Sequence, residues 1–237
     1  GPFDLELVSV AHSVPETSGL VLRTPLGTVY HTSDWKLDAT PYIGTPADES
    51  RLAALGDEGV LALVCDSTNA MREGQSPSET EVAHSIAGIV AKAPHRVVIT
   101  TFSSNVARIK ACGEAARLSG RHLVVAGRAL HRVIEVAIDT GYLPKDFTWA
   151  DQQQYKHFKR SEVLLLCTGS QGEPRAAMAR IAENQHPEVI LDKGDLVLFS
   201  SRAIPGNEKA IGAIQNAMVR MGCEILTDGD ALIHVTG

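Results

Sequence analysis

From residue 60 onward, short apolar runs alternate with longer stretches in which apolar positions recur every three or four residues. The runs indicate buried strands, and the spacing of the longer stretches indicates amphipathic helices. The predicted strands cover 60–66, 96–102, 122–127, 162–169 and 195–201. The predicted helices cover about 77–93, 104–118, 128–141, 173–185 and 207–221. Apolar strands separated by single helices are typical of a parallel sheet covered on both faces. The predicted fold class is therefore α/β with a doubly wound, mostly parallel sheet.

The beginning and the end of the chain have a different pattern. Residues 3 to about 38 are rich in strand-forming residues, and the turn at Pro25-Leu26-Gly27 predicts a hairpin between "GLVLRT" and "TVYHTS". Residues 39–59 are polar, with a short helix predicted at 47–55. After the last long helix, "EILTDG" and "LIHVTG" predict one or two further strands.

Composition narrows the class of protein. The chain has 237 residues, 44% hydrophobic and 21% charged, which is ordinary for a water-soluble globular protein. No apolar run approaches the roughly 18 to 20 residues that span a bilayer, and no signal-peptide pattern is present.

A net charge of −6 disfavours loose, long-range capture of nucleic acid but leaves room for a narrow binding groove. The four cysteines form no CxxC pair, which favours reduced thiols and a cytoplasmic location. Gly1-Pro2 is interpreted as the remnant of a cleaved affinity tag.

Four loops that follow predicted strands are rich in Ser, Thr and Gly. They read "DSTNA" (66–70), "TTFSSN" (100–105), "TGSQGEP" (168–174) and "SSRAIPGN" (200–207). Loops of a parallel sheet that precede helices lie along its carboxyl edge, where ligands bind, and helix-start amides suit phosphate groups. The same residues also make ordinary caps and turns, so both interpretations stay open. No Walker A, GxGxxG or GxSxG motif accompanies them, which disfavours P-loop, Rossmann and serine-hydrolase chemistry.

Two earlier strand ends carry side chains that can bind a metal. His12 lies in "AHSVPE" and Asp34 lies in "HTSDWKLD". Taken alone, each is more commonly an ordinary loop or cap residue than a ligand.

Five segments together resemble a known family. They are "AHSVPETSGLVLRTPLGTVYHTSDWKLD", "DSTNA", "ITTFSSNVARI", "TGSQGEP" and "IPGNE", in this order. They resemble bacterial ribonuclease J, a nuclease of the metallo-β-lactamase fold and β-CASP group, from about residue 5 to the end of the chain. The resemblance implies that 1–55 is the end of the first portion of a metallo-β-lactamase domain. It further implies that 56–230 is a β-CASP domain and that 231–237 begins the return to the first domain.

The resemblance also assigns roles to residues. His12 matches a zinc ligand, and Asp34 matches the aspartate that bridges two zinc ions. Asp66 matches an acidic residue beside the catalytic centre, where it orients or tunes a neighbouring histidine. Asp66 and Asp34 are thus the candidate catalytic residues, and His12 and Asp34 the candidate metal ligands. The candidates for facing RNA are Ser103, Ser104, Ser170 and Gln171.

The activity implied by the resemblance is zinc-dependent hydrolysis of single-stranded RNA. It includes endonucleolytic and 5′–3′ exonucleolytic cleavage in the processing of RNA, including rRNA, and in RNA decay. The implied partners are RNA, further copies of the same chain and other RNA-degradation proteins, with no membrane. The family's HxHxDH motif and its later histidine motifs are absent from these 237 residues. We therefore expect this chain alone to be catalytically incomplete and to bind zinc weakly or not at all, whereas the parent protein binds two zinc ions.

Two alternatives stay open. The chain could be a metal-independent RNA-binding or scaffold module built on the β-CASP domain. It could also belong to a small-molecule hydrolase of the metallo-β-lactamase fold, although such hydrolases lack a β-CASP-like insert.

Overall fold

The computed structural model describes residues 1–71 and 73–235. The chain divides into two compact units, residues 1–80 and residues 81–235. Within the described residues, no helix combines the length and the apolar character required to cross a membrane.

The first unit contains a four-stranded sheet with one helix. Its strands are β1 (Asp4–Ser9), β2 (Ser18–Thr24), β3 (Gly27–His31) and β4 (Ala62–Val64), in that spatial order. β1, β2 and β3 pair antiparallel, and β4 runs parallel to β3. The predicted hairpin is confirmed, because β2 and β3 are joined by a two-residue turn. Helix α1 (Glu49–Glu58) contributes Leu55 to a small core with Val8, Val21 and Tyr30.

The strand predicted over 60–66 lies in a different sheet from the one expected. The apolar run forms β4, which pairs with β3 of the first unit and not with the parallel sheet. The amide of Leu61 donates to the carbonyl of Thr28 at 2.8 Å, and Thr32 donates to the carbonyl of Val64 at 3.0 Å. A run of apolar residues indicates a strand but does not identify its partner, so the sequence could not make this distinction.

The second unit contains a six-stranded parallel sheet. Its strands are β5 (Val97–Thr100), β6 (His122–Ala126), β7 (Ala150–Asp151), β8 (Val163–Cys167), β9 (Leu196–Phe199) and β10 (Glu224–Leu226). Their spatial order is β10-β9-β5-β8-β6-β7. The remaining helices are α2 (Glu79–Lys92), α3 (Val106–Leu118), α4 (Arg128–Asp139), α5 (Ala177–Ala182) and α6 (Glu208–Arg220).

Helices cover both faces of this sheet. On one face, Val98 and Leu165 share a buried cluster with Met178 of α5 and Ile214 of α6. Helix α3 packs on β6 and β8, and α4 packs on β6. The doubly wound α/β fold is therefore confirmed, and each long predicted helix is present.

The ends of the chain depart from the sequence prediction in detail. β7 was not predicted, and "EILTDG" forms only β10. Residues 232–235 form no strand, and residues 236–237 of the predicted last strand lie outside the described residues. The predicted domain limits of 1–55, 56–230 and 231–237 concern the division of a longer protein and stay a prediction.

All four cysteines are free thiols, as predicted. Burial raises the pKa of Cys112 and of Cys167 to about 12, so both are protonated near neutral pH. Such thiols are poor nucleophiles and poor metal ligands.

Candidate functional site

His12 lies immediately beyond β1, at the point where two backbone segments of the first unit meet. The Lys36 amide donates to the Ala11 carbonyl at 2.9 Å, which brings residue 12 beside the segment that carries Asp34. Burial lowers the pKa of His12, and the nearby carboxylates of Asp34 and Asp66 only partly oppose this effect. The imidazole is therefore neutral near pH 7. Its Nδ1 atom lies 3.2 Å from the Ser13 hydroxyl, while Nε2 has no hydrogen bond among the described residues.

Asp34 sits on a tight turn after β3. Ser33 precedes it with φ of 59°, a left-handed conformation that costs a residue with a side chain about 1 kcal/mol. Two hydrogen bonds hold this turn: the Ser33 amide donates to Nδ1 of His31 at 3.0 Å, and its hydroxyl donates to the Ser18 carbonyl at 3.2 Å. The Asp34 carboxylate is exposed and makes no hydrogen bond with the described residues. It is presented to solvent by a turn that the fold keeps in place.

Asp66 follows β4 and is tied to the same turn. Its amide donates to the hydroxyl of Thr32 at 3.0 Å. Its carboxylate accepts from the Thr68 hydroxyl at 2.6 Å and from the Thr68 amide at 2.9 Å. These two bonds lower the pKa of Asp66, burial opposes them, and the neighbouring His12 lowers it further. Asp66 is therefore ionised near neutral pH.

A cavity of about 510 Å³ opens in the first unit beside these turns. Asp66 and Thr68 line it together with Trp35, Gln75 and Ser76. Neither His12 nor Asp34 is among its lining residues. Of the three candidates carried by the family resemblance, the structure places only Asp66 in the cavity wall.

A buried ion pair next to Asp34 was missed by the sequence analysis. Lys36 Nζ lies 3.0 Å from Asp38 Oδ2, and both side chains are almost fully buried. Asp38 also accepts from the Glu79 amide at 3.1 Å, at the start of α2. Burial alone would raise the pKa of Asp38, but the Glu79 amide and the Lys36 ammonium together lower it. The only sequence signal was the Lys-Leu-Asp spacing, which places the two charges on one side of an extended segment.

These donors do not make a complete metal site. Among residues 1–71 and 73–235, no three His, Cys, Asp or Glu side chains converge in a way that could hold a metal ion. A zinc ion in a protein takes about three or four protein ligands, and His12 and Asp34 supply two. The described residues therefore do not fit a self-sufficient zinc centre.

The polar loops of the second unit do lie together at the carboxyl edge of its sheet. The amide group of Gln171 donates to the Arg202 carbonyl at 2.8 Å and accepts from the Ile204 amide at 2.9 Å. This ties the β8–α5 loop to the β9–α6 loop. The "DSTNA" loop does not join them, because it follows β4 in the first unit. The expectation of four loops on one edge is thus wrong for that loop.

The four residues proposed to face RNA differ in exposure. Ser104 is exposed and Ser103 is half-buried, both in the turn before α3. Ser170 and Gln171 are buried, with 2% and 6% of their surfaces exposed. Contact with RNA stays a prediction for all four residues, and Ser104 is the most open to solvent.

Arg108 is a second residue that the sequence analysis missed. It is fully buried in α3 and donates to the hydroxyl of Ser200 and to the carbonyl of Ile233. These hydrogen bonds link α3 to the start of the β9–α6 loop and to the segment around Ile233. They hold the backbone beneath the polar loops in place. The position of Arg108 within the apolar face of α3 was the available signal, because a charge there requires buried partners.

Comparison with known proteins identifies a match over the parallel sheet. Residues 94–218 match the family described as "Ribonuclease J, beta-CASP domain". Similar proteins include a ribonuclease J of Sinorhizobium meliloti, which is 52% identical over 237 residues. A ribonuclease J of Corynebacterium glutamicum is 40% identical over 239 residues, and one of Thermus thermophilus is 38% identical over 235 residues. The matches cover 100%, 100% and 99% of this chain but only 42%, 33% and 41% of those proteins, so the chain spans less than half their length.

A solved structure supports the fold alone. A protein of unknown function from Enterococcus faecalis matches with a TM-score of 0.64 at 13% sequence identity. The match covers 100% of this chain and 53% of that chain.

Proposed function

Because the chain belongs to the ribonuclease J β-CASP domain family, we propose that it is part of a longer enzyme that hydrolyses phosphodiester bonds of single-stranded RNA. The observation that carries the proposal is the similarity over essentially the whole chain to proteins named ribonuclease J. The proposed activity includes endonucleolytic and 5′–3′ exonucleolytic cleavage, in RNA processing, including that of rRNA, and in RNA decay. A cytoplasmic location, self-association and association with other RNA-degradation proteins belong to the same proposal.

We propose that the longer enzyme binds two zinc ions and that His12 and Asp34 are two of the ligands. A neutral imidazole with a free Nε2 suits a ligand, because protonation would remove its lone pair. An exposed, unpaired carboxylate on a fixed turn suits Asp34 as the second. Zinc in such enzymes supplies Lewis acidity toward a phosphoryl oxygen. Asp66 is proposed to act on the site through the charge that it presents to His12.

The chain alone is proposed to be catalytically incomplete. The support is the absence of a group of three metal donors among residues 1–71 and 73–235. The remaining ligands would come from parts of the longer relatives that this chain does not match. In the longer enzyme, RNA is proposed to pass along the carboxyl edge of the parallel sheet, where Ser103 and Ser104 lie in the turn before α3.

The same absence of a three-donor group favours one alternative, a metal-independent RNA-binding or scaffold module. A single experiment distinguishes the zinc-dependent nuclease from the metal-independent binding module. A protein of the relatives' length that carries this segment is incubated with 5′-monophosphorylated single-stranded RNA, with zinc and after its removal by a chelator. The nuclease proposal expects cleavage with zinc, and none after its removal. Salt-dependent RNA binding without cleavage under either condition would favour the binding module.

A further inference from the structure

A second cavity, of about 400 Å³, lies in the second unit at the amino end of β6 and β7. Its walls come from the last turns of α3, the turn before β6 and the segment around β7. It is at the opposite end of the parallel sheet from the polar loops at the carboxyl edge. Its volume falls within the range of roughly 300 to 1,000 Å³ typical of small-molecule sites. The proposed nuclease function makes no use of it.

Three aromatic rings line this cavity. His122 and Phe158 are stacked, with ring centroids 4.0 Å apart and planes inclined by 18°. Trp149 is half-buried in the same wall, and its Nε1 donates to Nδ1 of His131 at 3.2 Å. Nε2 of His131 lies 3.4 Å from the Asp151 carboxylate. The indole is therefore held by its edge, and the cavity contains pre-formed aromatic surface.

The Arg and Lys residues among the described residues lining the cavity are two arginines, Arg117 and Arg121. Arg117 is exposed at its rim, and its side chain has no hydrogen bond or ion pair with the described residues. Arg121 also lines the cavity, and its guanidinium donates only to backbone carbonyls, those of Ala93 at 2.5 Å and His95 at 2.7 Å among them. No Asp or Glu lies among the described lining residues. Two arginine charges thus face the cavity without a carboxylate to compensate them.

We propose that this cavity binds a nucleotide, with the base against the Trp149 and Phe158 rings and the phosphate at Arg117. Aromatic surface stacks with any base, and a guanidinium without an acidic partner is suited to a phosphate. The exposed Gln154 supplies an amide that can hydrogen-bond a base edge. The nucleotide is either a free mononucleotide or one residue of an RNA strand. The binding itself is independent of the proposed nuclease activity, because it uses no residue of the candidate metal site.

Trp149 gives a direct measurement of binding, because the chain contains only two tryptophans, Trp35 and Trp149. In a Trp35→Phe variant, whose fold is checked by circular dichroism, Trp149 is the only source of indole fluorescence. The probes are UMP, AMP, inorganic phosphate, and a short oligoribonucleotide such as oligo(A). The proposal expects saturable quenching by the mononucleotides or by the oligoribonucleotide, since a stacked base quenches indole emission.

Two variants test whether the quenching comes from a nucleotide bound in this cavity. Arg117→Ala removes an exposed side chain that has no hydrogen bond or ion pair with the described residues, and it is expected to weaken binding about tenfold through the lost phosphate contact. Lys145→Ala removes another exposed cation of the same unit outside the cavity, and it should leave binding unchanged.

The measurements distinguish a free nucleotide from an RNA strand, and some results would overturn the proposal. Tighter, salt-dependent binding of the oligoribonucleotide indicates an RNA strand, whereas equal affinity indicates a free nucleotide. Absence of saturable quenching up to about 1 mM of every probe would overturn the proposal. Equal weakening by both variants would also overturn it, as would inorganic phosphate displacing the nucleotides at equal concentration. If the longer protein binds nucleotides in this cavity but does not cleave RNA, the nuclease proposal fails and the nucleotide-binding proposal stands.

Discussion

Asp34 is directly followed by a segment that two buried charges hold in place. The Lys36–Asp38 pair lies at 3.0 Å with 6% and 2% of the side chains exposed. Replacing Asp38 by Asn leaves a buried ammonium without its partner, which typically costs about 3 to 5 kcal/mol. We expect Asp38→Asn to lower the free energy of unfolding of the first unit by about that amount. Urea unfolding followed by Trp35 fluorescence in a Trp149→Phe background measures it.

An exposed ion pair provides the matched control. Lys159 Nζ lies at the same distance, 3.0 Å, from Glu162, but 82% and 37% of these side chains are exposed. Exposed pairs contribute little because water screens them. Glu162 lies in the second unit, so Glu162→Gln is followed by Trp149 fluorescence in a Trp35→Phe background, where it should leave the unfolding midpoint unchanged. Equal effects of Asp38→Asn and Glu162→Gln would show that burial of the first pair has no energetic importance.

His186 makes the second unit sensitive to acid. The residue is 7% exposed, and its Nδ1 accepts from the amides of Glu188 at 3.3 Å and Val189 at 3.0 Å. Burial lowers the pKa of His186 below its ordinary value of 6.5. The unfolded chain therefore binds more protons than the folded chain as the pH falls below about 6.5. Its contribution to stability is complete above that pH and is lost as the pH falls toward the folded pKa.

We expect the free energy of unfolding of the second unit, followed by Trp149 fluorescence in a Trp35→Phe background, to fall as the pH is lowered through the ordinary histidine pKa of 6.5 toward the lower pKa of the folded state. His186→Asn keeps a hydrogen-bond acceptor but cannot titrate, so this variant should show a flatter dependence. An unchanged slope in His186→Asn would assign the acid sensitivity to other groups.

At the scale of elements, Gln171 connects the β8–α5 and β9–α6 loops. It accepts from the Ile204 amide at 2.9 Å and donates to the Arg202 carbonyl at 2.8 Å. Gln171→Leu leaves two partly buried backbone groups without this partner, and because water can replace part of the interaction, each loss costs less than the roughly 1 to 3 kcal/mol of a fully buried group. We expect faster hydrogen exchange at the Ile204 amide. Ser104→Ala, in the exposed turn before α3, should leave that exchange rate unchanged, and slow exchange in both variants would refute the connecting role of Gln171.

The alternation of strands and helices in the second unit could be predicted because both periodicities are local. β8 (Val163–Cys167) is fully buried and α6 (Glu208–Arg220) is amphipathic, so each pattern is visible within one window of sequence. Partner choice is not local. β4 could have extended either sheet, and the two-residue β7 is too short to give a pattern.

The candidate site was predictable only in part, because the choice of contact partners is not local in the sequence. His12 and Asp34 were identified by motif, and their zinc-binding role stays a prediction. The Lys36–Asp38 pair and the buried Arg108 depend on partners far along the chain, such as Glu79 for Asp38 and Ser200 for Arg108. The sequence indicates that such a buried charge needs a partner, but it does not identify a partner that lies far along the chain. The polar loops were correctly expected at one edge where the strands belong to the parallel sheet.

At the scale of the whole molecule, one face of the first sheet is apolar and exposed. The strand register aligns Leu7 with Leu20 and His31 with Val64. Leu5 and Leu7 of β1 are 61% and 73% exposed on this face. Exposed apolar patches of this kind promote association.

We expect the double variant Leu5→Thr, Leu7→Thr to bind less of a hydrophobic dye and to self-associate less than the unmodified chain. Threonine keeps the strand propensity of β1, so the fold should be retained. Leu118→Thr replaces a leucine of the second unit that is 67% exposed and should have little effect. Dye fluorescence and analytical ultracentrifugation measure the two properties, and equal behaviour of both variants would contradict the assignment.

We propose that this chain contributes His12, Asp34 and Asp66 to an RNA-cleaving centre of a longer protein. The most direct test measures the cleavage rate of 5′-monophosphorylated RNA by that longer protein and by its His12→Ala, Asp34→Asn and Asp66→Asn variants. Asp57→Asn, an exposed carboxylate of α1, serves as the matched control. We expect His12→Ala and Asp34→Asn, which remove proposed metal ligands, to lose at least about 100-fold in rate, Asp66→Asn, which removes a supporting charge, to lose about 10- to 100-fold, and the control to retain full activity. Full activity of Asp34→Asn and Asp66→Asn, or no RNA cleavage by the unmodified longer protein, would contradict the claim.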